Sequence, residues 1–146
     1  GIGFPDLHGA GDQDIFHKRG GFVPVDAYAN VLFENTSPPD HRWLVLSLVG
    51  TRTNRDAVGA RVALHVETES GKRVLHRAMG SVSSFAGSPH RLEIGLGRAQ
   101  RVTRLEVRWP NGGETQVFED VPLDAWLRVT EGAKSPERLE WKTYRF

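Results

Sequence analysis

Apolar side chains fall at every second position over several short stretches of the chain. From Arg61 to Thr68, Val62, Leu64 and Val66 alternate with Arg61, Ala63, His65 and Glu67. Successive side chains of an extended strand point to opposite faces, so the first set is expected in a core and the second in water. Leu92, Ile94 and Leu96 stand against Arg91 and Glu93 in the same way, as do Leu105, Val107 and Trp109 against Arg104, Glu106 and Arg108. Trp43 to Val49 is apolar on both faces apart from Ser47, which suits a central strand covered from two sides. Further strands are predicted over Arg73 to Ala78, Thr115 to Phe118 and Ala125 to Thr130, making seven. Nowhere do apolar residues recur at i, i+3, i+4 and i+7 for long enough to form a core helix.

Turn chemistry sets the connections. Asn111-Gly112-Gly113 supplies residues that tolerate positive φ between two strands, a strong hairpin signal, and Ser70-Gly71 marks a second hairpin. Ser37-Pro38-Pro39-Asp40 reads as a boundary loop, because proline cannot donate to a sheet ladder and forces its predecessor into extended geometry. Seven short strands with turns about every ten residues predict an antiparallel β-sandwich over 37–131. A Gly/Asp-rich segment, 1–36, precedes it and a short aromatic and basic tail, 132–146, follows.

The size of 146 residues fits about one domain, and 38% apolar with 25% charged residues is an ordinary globular composition. The 19 Lys and Arg residues against 18 Asp and Glu leave a net charge of +1, too little for the phosphate contacts that nucleic-acid binding requires. The longest apolar run, Trp43 to Gly50, is far below the roughly twenty residues that cross a bilayer as a helix. Without cysteine there is neither a disulfide framework nor a thiol nucleophile. The chain opens on Gly1 with no charged and apolar leader, so any export signal is expected upstream, in a precursor.

Trp43-Leu44, Gly50, Asn54-Arg55, Ala57-Val58-Gly59-Ala60-Arg61-Val62, Gly95-Leu96-Gly97 and Val107-Arg108-Trp109-Pro110-Asn111-Gly112 occur in that order. With these residues the stretch from about Asp40 to Glu131 resembles the ASPIC/UnbV family. The resemblance implies a non-catalytic module outside the cytoplasm (secreted, periplasmic or on the cell surface), one that commonly follows FG-GAP or VCBS-type β-propeller repeats. Phe4-Pro5-Asp6, Gly11-Asp12-Gln13-Asp14-Ile15-Phe16 and Asn30-x-Leu32-Phe33-x-Asn35 resemble the end of such a repeat. The family offers no catalytic residue to carry over.

Asp6-Leu7-His8-Gly9-Ala10-Gly11-Asp12-Gln13-Asp14 resembles the calcium loop D-x-D-x-D-G-x-x-D of those repeats. Calcium takes six to eight oxygen ligands, and His8 and Ala10 remove two of the side-chain oxygens. Asp6, Asp12 and Asp14 remain as candidate ligands. The favoured reading is a metal-free turn in which aspartates accept backbone N–H bonds, so no cofactor is expected. The six histidines lack helical zinc-protease spacing, and His65 and His76 flank a hairpin turn where one register would bring them together. Gly80-Ser81-Val82-Ser83-Ser84 lacks the second glycine of a nucleophile elbow, and Gly95-Leu96-Gly97 lacks the rest of a dinucleotide fingerprint. Arg98, Arg101, Arg104 and Arg108 form a basic ridge, read as a solvated strand face neutralised by acidic residues of neighbouring strands.

Binding is expected on irregular loops carried by the rigid sandwich: Asn54 and Arg55 in one, Ser83 and Ser84 in another. Trp126 falls on the face opposite Ala125, Leu127 and Val129, either exposed to stack on a sugar or pack against a protein, or covered by the tail or the 1–36 segment. Trp141, Tyr144 and Phe146 predict that the tail docks, on its own sandwich or on a neighbouring subunit. The functional expectation is an extracytoplasmic interaction module that binds a protein or a glycan. The alternative is a structural subunit of a larger envelope or membrane-associated complex, and a hydrolase ranks below both.

Overall fold

A computed structural model of the chain describes residues 1–7, 11–21, 25, 28–36, 40–80 and 89–141. These residues contain strands and no helix, and they divide into two compact units, the second beginning at Asp40. In the first, β1 (Ile2–Gly3), β2 (Ile15–His17) and β3 (Val31–Phe33) form an antiparallel sheet in that order. Asp14 is its buried polar anchor: one carboxylate oxygen accepts the Asn35 N–H at 2.9 Å and the other the Leu7 N–H at 3.2 Å. The apolar side chains of this sheet are largely exposed, among them Ile2, Phe4, Phe16, Leu32 and Phe33.

The second unit is the sandwich predicted by the alternation. One sheet has the order β11 (Glu137–Leu139), β10 (Ala125–Thr130), β4 (Arg42–Val49), β7 (Leu92–Gly97). The other has the order β6 (Gly71–Ala78), β5 (Arg61–Thr68), β8 (Ala99–Arg108), β9 (Thr115–Val121). Leu44, Leu46, Leu48, Ile94, Leu96, Leu127 and Val129 from the first sheet meet Val62, Leu64, Val66, Val102, Leu105, Val107 and Phe118 from the second in one continuous core. Burying side chains of this size stabilises by about 1.5–3 kcal/mol each, which is why the period-two pattern is so plain in the sequence.

β4 lies inside its sheet, as its two apolar faces predict: Leu44, Leu46 and Leu48 enter the core, while Val45, on the opposite face, is also buried. One of its neighbours differs from the antiparallel expectation. β10 runs parallel to β4, with Leu127 opposite Leu46. The two strands are separated in sequence by the whole second sheet, so no hairpin constrains their direction. Asp124 N–H to Trp43 O at 2.9 Å and Glu131 N–H to Val49 O at 2.8 Å close the two ends of the pair.

Strand boundaries and strand number also depart from the sequence pattern. β8 begins at Ala99 rather than Arg104, kept in register with β5 by irregularities at His65/Val66 and Glu67/Thr68. β11 was not expected at all; it adds a short polar edge strand to β10. At the β8–β9 hairpin, Asn111 and Gly112 both take positive φ (57° and 77°), and the Gly113 N–H reaches Pro110 O at 3.2 Å. This is the primed turn whose twist matches that of the flanking strands.

Candidate functional site

Residues 50–60 carry the chain from β4 in one sheet to β5 in the other. Asn54 folds the loop back on itself: its side-chain oxygen accepts the Val58 N–H at 2.8 Å, and its amide donates to Val58 O at 2.9 Å. The Gly50 N–H donates to Arg55 O at 3.0 Å. A Cβ at Gly50 would lie 2.2 Å from Asn54 O, so only glycine fits that crossing.

The loop is clamped from the far end of the molecule's sequence by Glu131. This residue is 4% exposed, and its Oε2 accepts three consecutive backbone N–H groups, from Thr51 (2.9 Å), Arg52 (2.8 Å) and Thr53 (2.9 Å). The Thr53 hydroxyl donates to the same oxygen at 3.1 Å. Burial, the largest single influence, pushes the Glu131 carboxyl pKa up, but the backbone bonds from Thr53, Thr51 and Arg52 and the Thr53 hydroxyl together outweigh it and hold the value down to about 2. Glu131 is thus an ionised internal counter-charge to a nest of amides.

Where this loop meets the β8–β9 turn, Gly59, Arg61, Arg108, Trp109, Pro110, Asn111 and Gly112 line an open cleft of about 240 Å³. Its floor is rigid. Trp109 is buried, its indole N–H donates to Gln116 Oε1 at 2.9 Å, and the Gln116 amide donates to Thr130 O and Ala133 O. Gln116 thus ties Trp109 to the turn that follows β10, and Glu131 ties the start of the 50–60 loop to the same turn.

Arg61 and Arg108 sit directly opposite each other on β5 and β8, on the sheet face away from the core, with Ala78 and Thr115 as their outer neighbours in the same row. Both are exposed, and neither has an ion-pair partner among the described residues. The rest of the basic ridge is neutralised as expected from the sequence. Arg98 pairs with Asp40 at 2.9 Å, Arg101 with Glu67, and Arg104 with Glu106 at 3.1 Å and Glu119 at 3.8 Å. The bonds from Arg101 and then Lys72 hold the Glu67 carboxyl down to about 2, and the bond from Arg98 lowers that of Asp40. Glu106, the acidic residue closest in register to Arg108 on this face, is engaged by Arg104 and by His65 at 3.2 Å.

A family model described as ASPIC and UnbV matches residues 50–136. The chain belongs to that family. The ASPIC/UnbV match takes in the loop, Arg61, Arg108, the turn around Asn111 and Glu131, that is, the whole cleft and its supports. It begins after β4 and includes none of β1, β2 and β3. No curated protein matches the chain significantly.

The other predicted site residues divide. Asn54 is exposed but spends its side-chain amide on capping its own loop, and Arg55 is exposed beside it. Ser83, Ser84, Tyr144 and Phe146 lie outside the described residues. Asp6 and Asp14 spend carboxylate oxygens on backbone N–H groups, Asp6 on Gly11 at 2.9 Å, and Asp12 lies half-buried in the same turn. His65 and His76 share a face but sit diagonally, since Ala63 is opposite His76 and Val74 opposite His65.

Trp126 is covered by the tail. Its ring lies 4.8 Å from that of Trp141, which also meets Trp43 edge-on at 6.1 Å, and its indole N–H donates to Ser47 Oγ at 2.9 Å. The Arg91 guanidinium stacks over both rings, 5.5 Å from Trp126 and 5.4 Å from Trp141. Of the features named here, Glu131 and the pairing of Arg61 with Arg108 escape sequence reasoning. Their partners are backbone amides and a strand distant in sequence.

Proposed function

We propose that this ASPIC/UnbV chain is a non-catalytic interaction module of an extracytoplasmic protein and that it binds through the cleft at the Arg61/Arg108 end of its sandwich. One observation carries the reading: two arginines face each other with no ion-pair partner among the described residues, beside an open cleft with a hydrogen-bonded floor, while the other ridge arginines are neutralised. Like charges directly opposite on adjacent strands are unfavourable. A bound anionic group would remove that cost. The extracytoplasmic setting rests on the family resemblance. A photo-cross-linking residue at Asn111, introduced in the native host, tests the proposal. The expected result is an adduct with another macromolecule that is lost in Arg61→Glu/Arg108→Glu; an adduct unchanged by that double substitution sinks it.

A structural role in a larger assembly is the second reading, and the first unit supports it. Ile2, Phe33 and Ile15 on one face of its sheet and Phe16 and Leu32 on the other remain exposed, as expected for the last piece of an FG-GAP/VCBS-type repeat that stacks against further repeats. Gel filtration of native extract separates the two: permanent co-elution with a large complex favours the structural subunit, and a free species favours the reversible binder.

A further inference from the structure

The arginine pair also specifies what kind of anion fits. Resting on the reading of the cleft as the binding site, we propose that it takes the side-chain carboxylate of an acidic segment of a partner protein. Arg61 and Arg108 stand on directly paired strands, and a guanidinium is a planar fork of N–H donors whose matching acceptor is a carboxylate, gripped in bidentate fashion.

The surroundings argue for a single compact acidic group rather than a polyanionic chain. In the row that holds Arg61 and Arg108, the flanking positions are Ala78 and Thr115, and the next arginines along β8 are already bound to Glu67, Glu106 and Glu119. On this sheet face the unpaired arginines among the described residues are therefore this one pair, whereas a sulfated or uronate polysaccharide needs a track of free cations. A net charge of +1 offers no wider attraction. The lining also lacks a platform for sugar rings, because Trp109 is buried and its indole N–H is spent on Gln116. At about 240 Å³ and open to solvent, the cleft admits one side chain and its neighbouring backbone rather than an enclosed ligand. Asn111, exposed at the turn tip, and Pro110 stand beside the pair to contact that backbone.

The test is titration of the full chain, at low and at physiological salt, with an acetylated peptide carrying an Asp-Glu pair in a Gly/Ser background. The Asn-Gln version of that peptide and dextran sulfate serve as comparisons. Binding is read by calorimetry and by the Nε–H resonances of Arg61 and Arg108. The acidic peptide is expected to bind, the Asn-Gln peptide to fail, and Arg61→Gln or Arg108→Gln each to weaken binding about tenfold or more. Arg77→Gln, which removes an exposed arginine from β6, is expected to leave the affinity unchanged within about twofold. Because Arg61 and Arg108 are exposed, the variants are expected to melt at or slightly above the parent temperature, which confirms folding in the same samples. Equal binding by parent and both cleft variants overturns the proposal. Arginine-dependent binding of dextran sulfate without binding of the peptide overturns the protein-carboxylate assignment and leaves the cleft as the interaction site. Silence toward both ligands removes the assignment and the cleft reading together.

Discussion

In the sandwich, Leu64 and Ile94 are 0% and 2% exposed, whereas in the three-stranded sheet Phe33 and Ile2 keep 55% and 53% of their surface in water. Both regions are β-structure with apolar strands, so composition does not explain the contrast. In β5 the apolar residues alternate, and the second sheet covers the one oily face. In β2 and β3 they are consecutive (Ile15-Phe16 and Val31-Leu32-Phe33), so both faces of the small sheet need a covering layer. Alternation marks a sheet that needs one neighbour, and an unbroken apolar run marks one that needs two.

The comparison breaks most readily at its extremes. Leu64→Ala is expected to cost about 2–5 kcal/mol in denaturant unfolding, because it leaves a cavity between the sheets. Phe33→Ala, at a half-exposed position, is expected to change the same transition by less than about 0.5 kcal/mol. Equal effects would mean that the small sheet is packed as tightly as the sandwich.

Glu131→Gln comes next. The carboxyl is held at about 2 in the folded chain, below its ordinary 4.5, so its stabilisation is fully present above 4.5 and is lost as pH falls toward 2. The difference in melting temperature between parent and variant should be constant at neutral pH and close across that acid window. A difference that does not vary with pH would show that packing rather than the ionised nest holds the loop.

Smaller effects sharpen the picture of the sandwich surface. Trp141→Ala is expected to cost about 2 kcal/mol and to shift tryptophan emission to the red, because Trp126 and Trp43 lose their cover. Unchanged emission would place the tail elsewhere in solution. At the low end, Arg61→Ala is expected to raise stability by a few tenths, about 0.5 kcal/mol at most, in low salt, by relieving the like-charge pair with Arg108. A loss of stability on that substitution would show that Arg108 is already compensated.

Much of the sandwich is legible in the sequence, because its faces follow period two. Val62, Leu64, Val66, Ile94, Leu96, Leu105, Val107 and Trp109 are all buried as the alternation predicts. β11 is not legible, since Glu137, Arg138 and Leu139 form an edge strand whose role is backbone pairing, which leaves no apolar rhythm. The direction of β10 is hidden for a similar reason: either direction buries the same side chains. At the site, the neutralisation of most of the arginine ridge is legible, whereas Asn54, read in the sequence as a binding residue, spends its side-chain amide on its own loop. Glu131 looks like any surface glutamate in one dimension, because three amides and a hydroxyl of a distant loop solvate it.

The parallel pairing of β10 with β4 dictates an order of assembly. β4 emerges early during synthesis, and its β10 flank stays bare until the intervening second sheet and the start of β10 at Ala125 have been made. A chain halted before that point presents Leu44, Leu46 and Leu48 on a strand with an open hydrogen-bonding flank. That is the stretch a holding chaperone would grip, and the one where stalled copies would stick to each other.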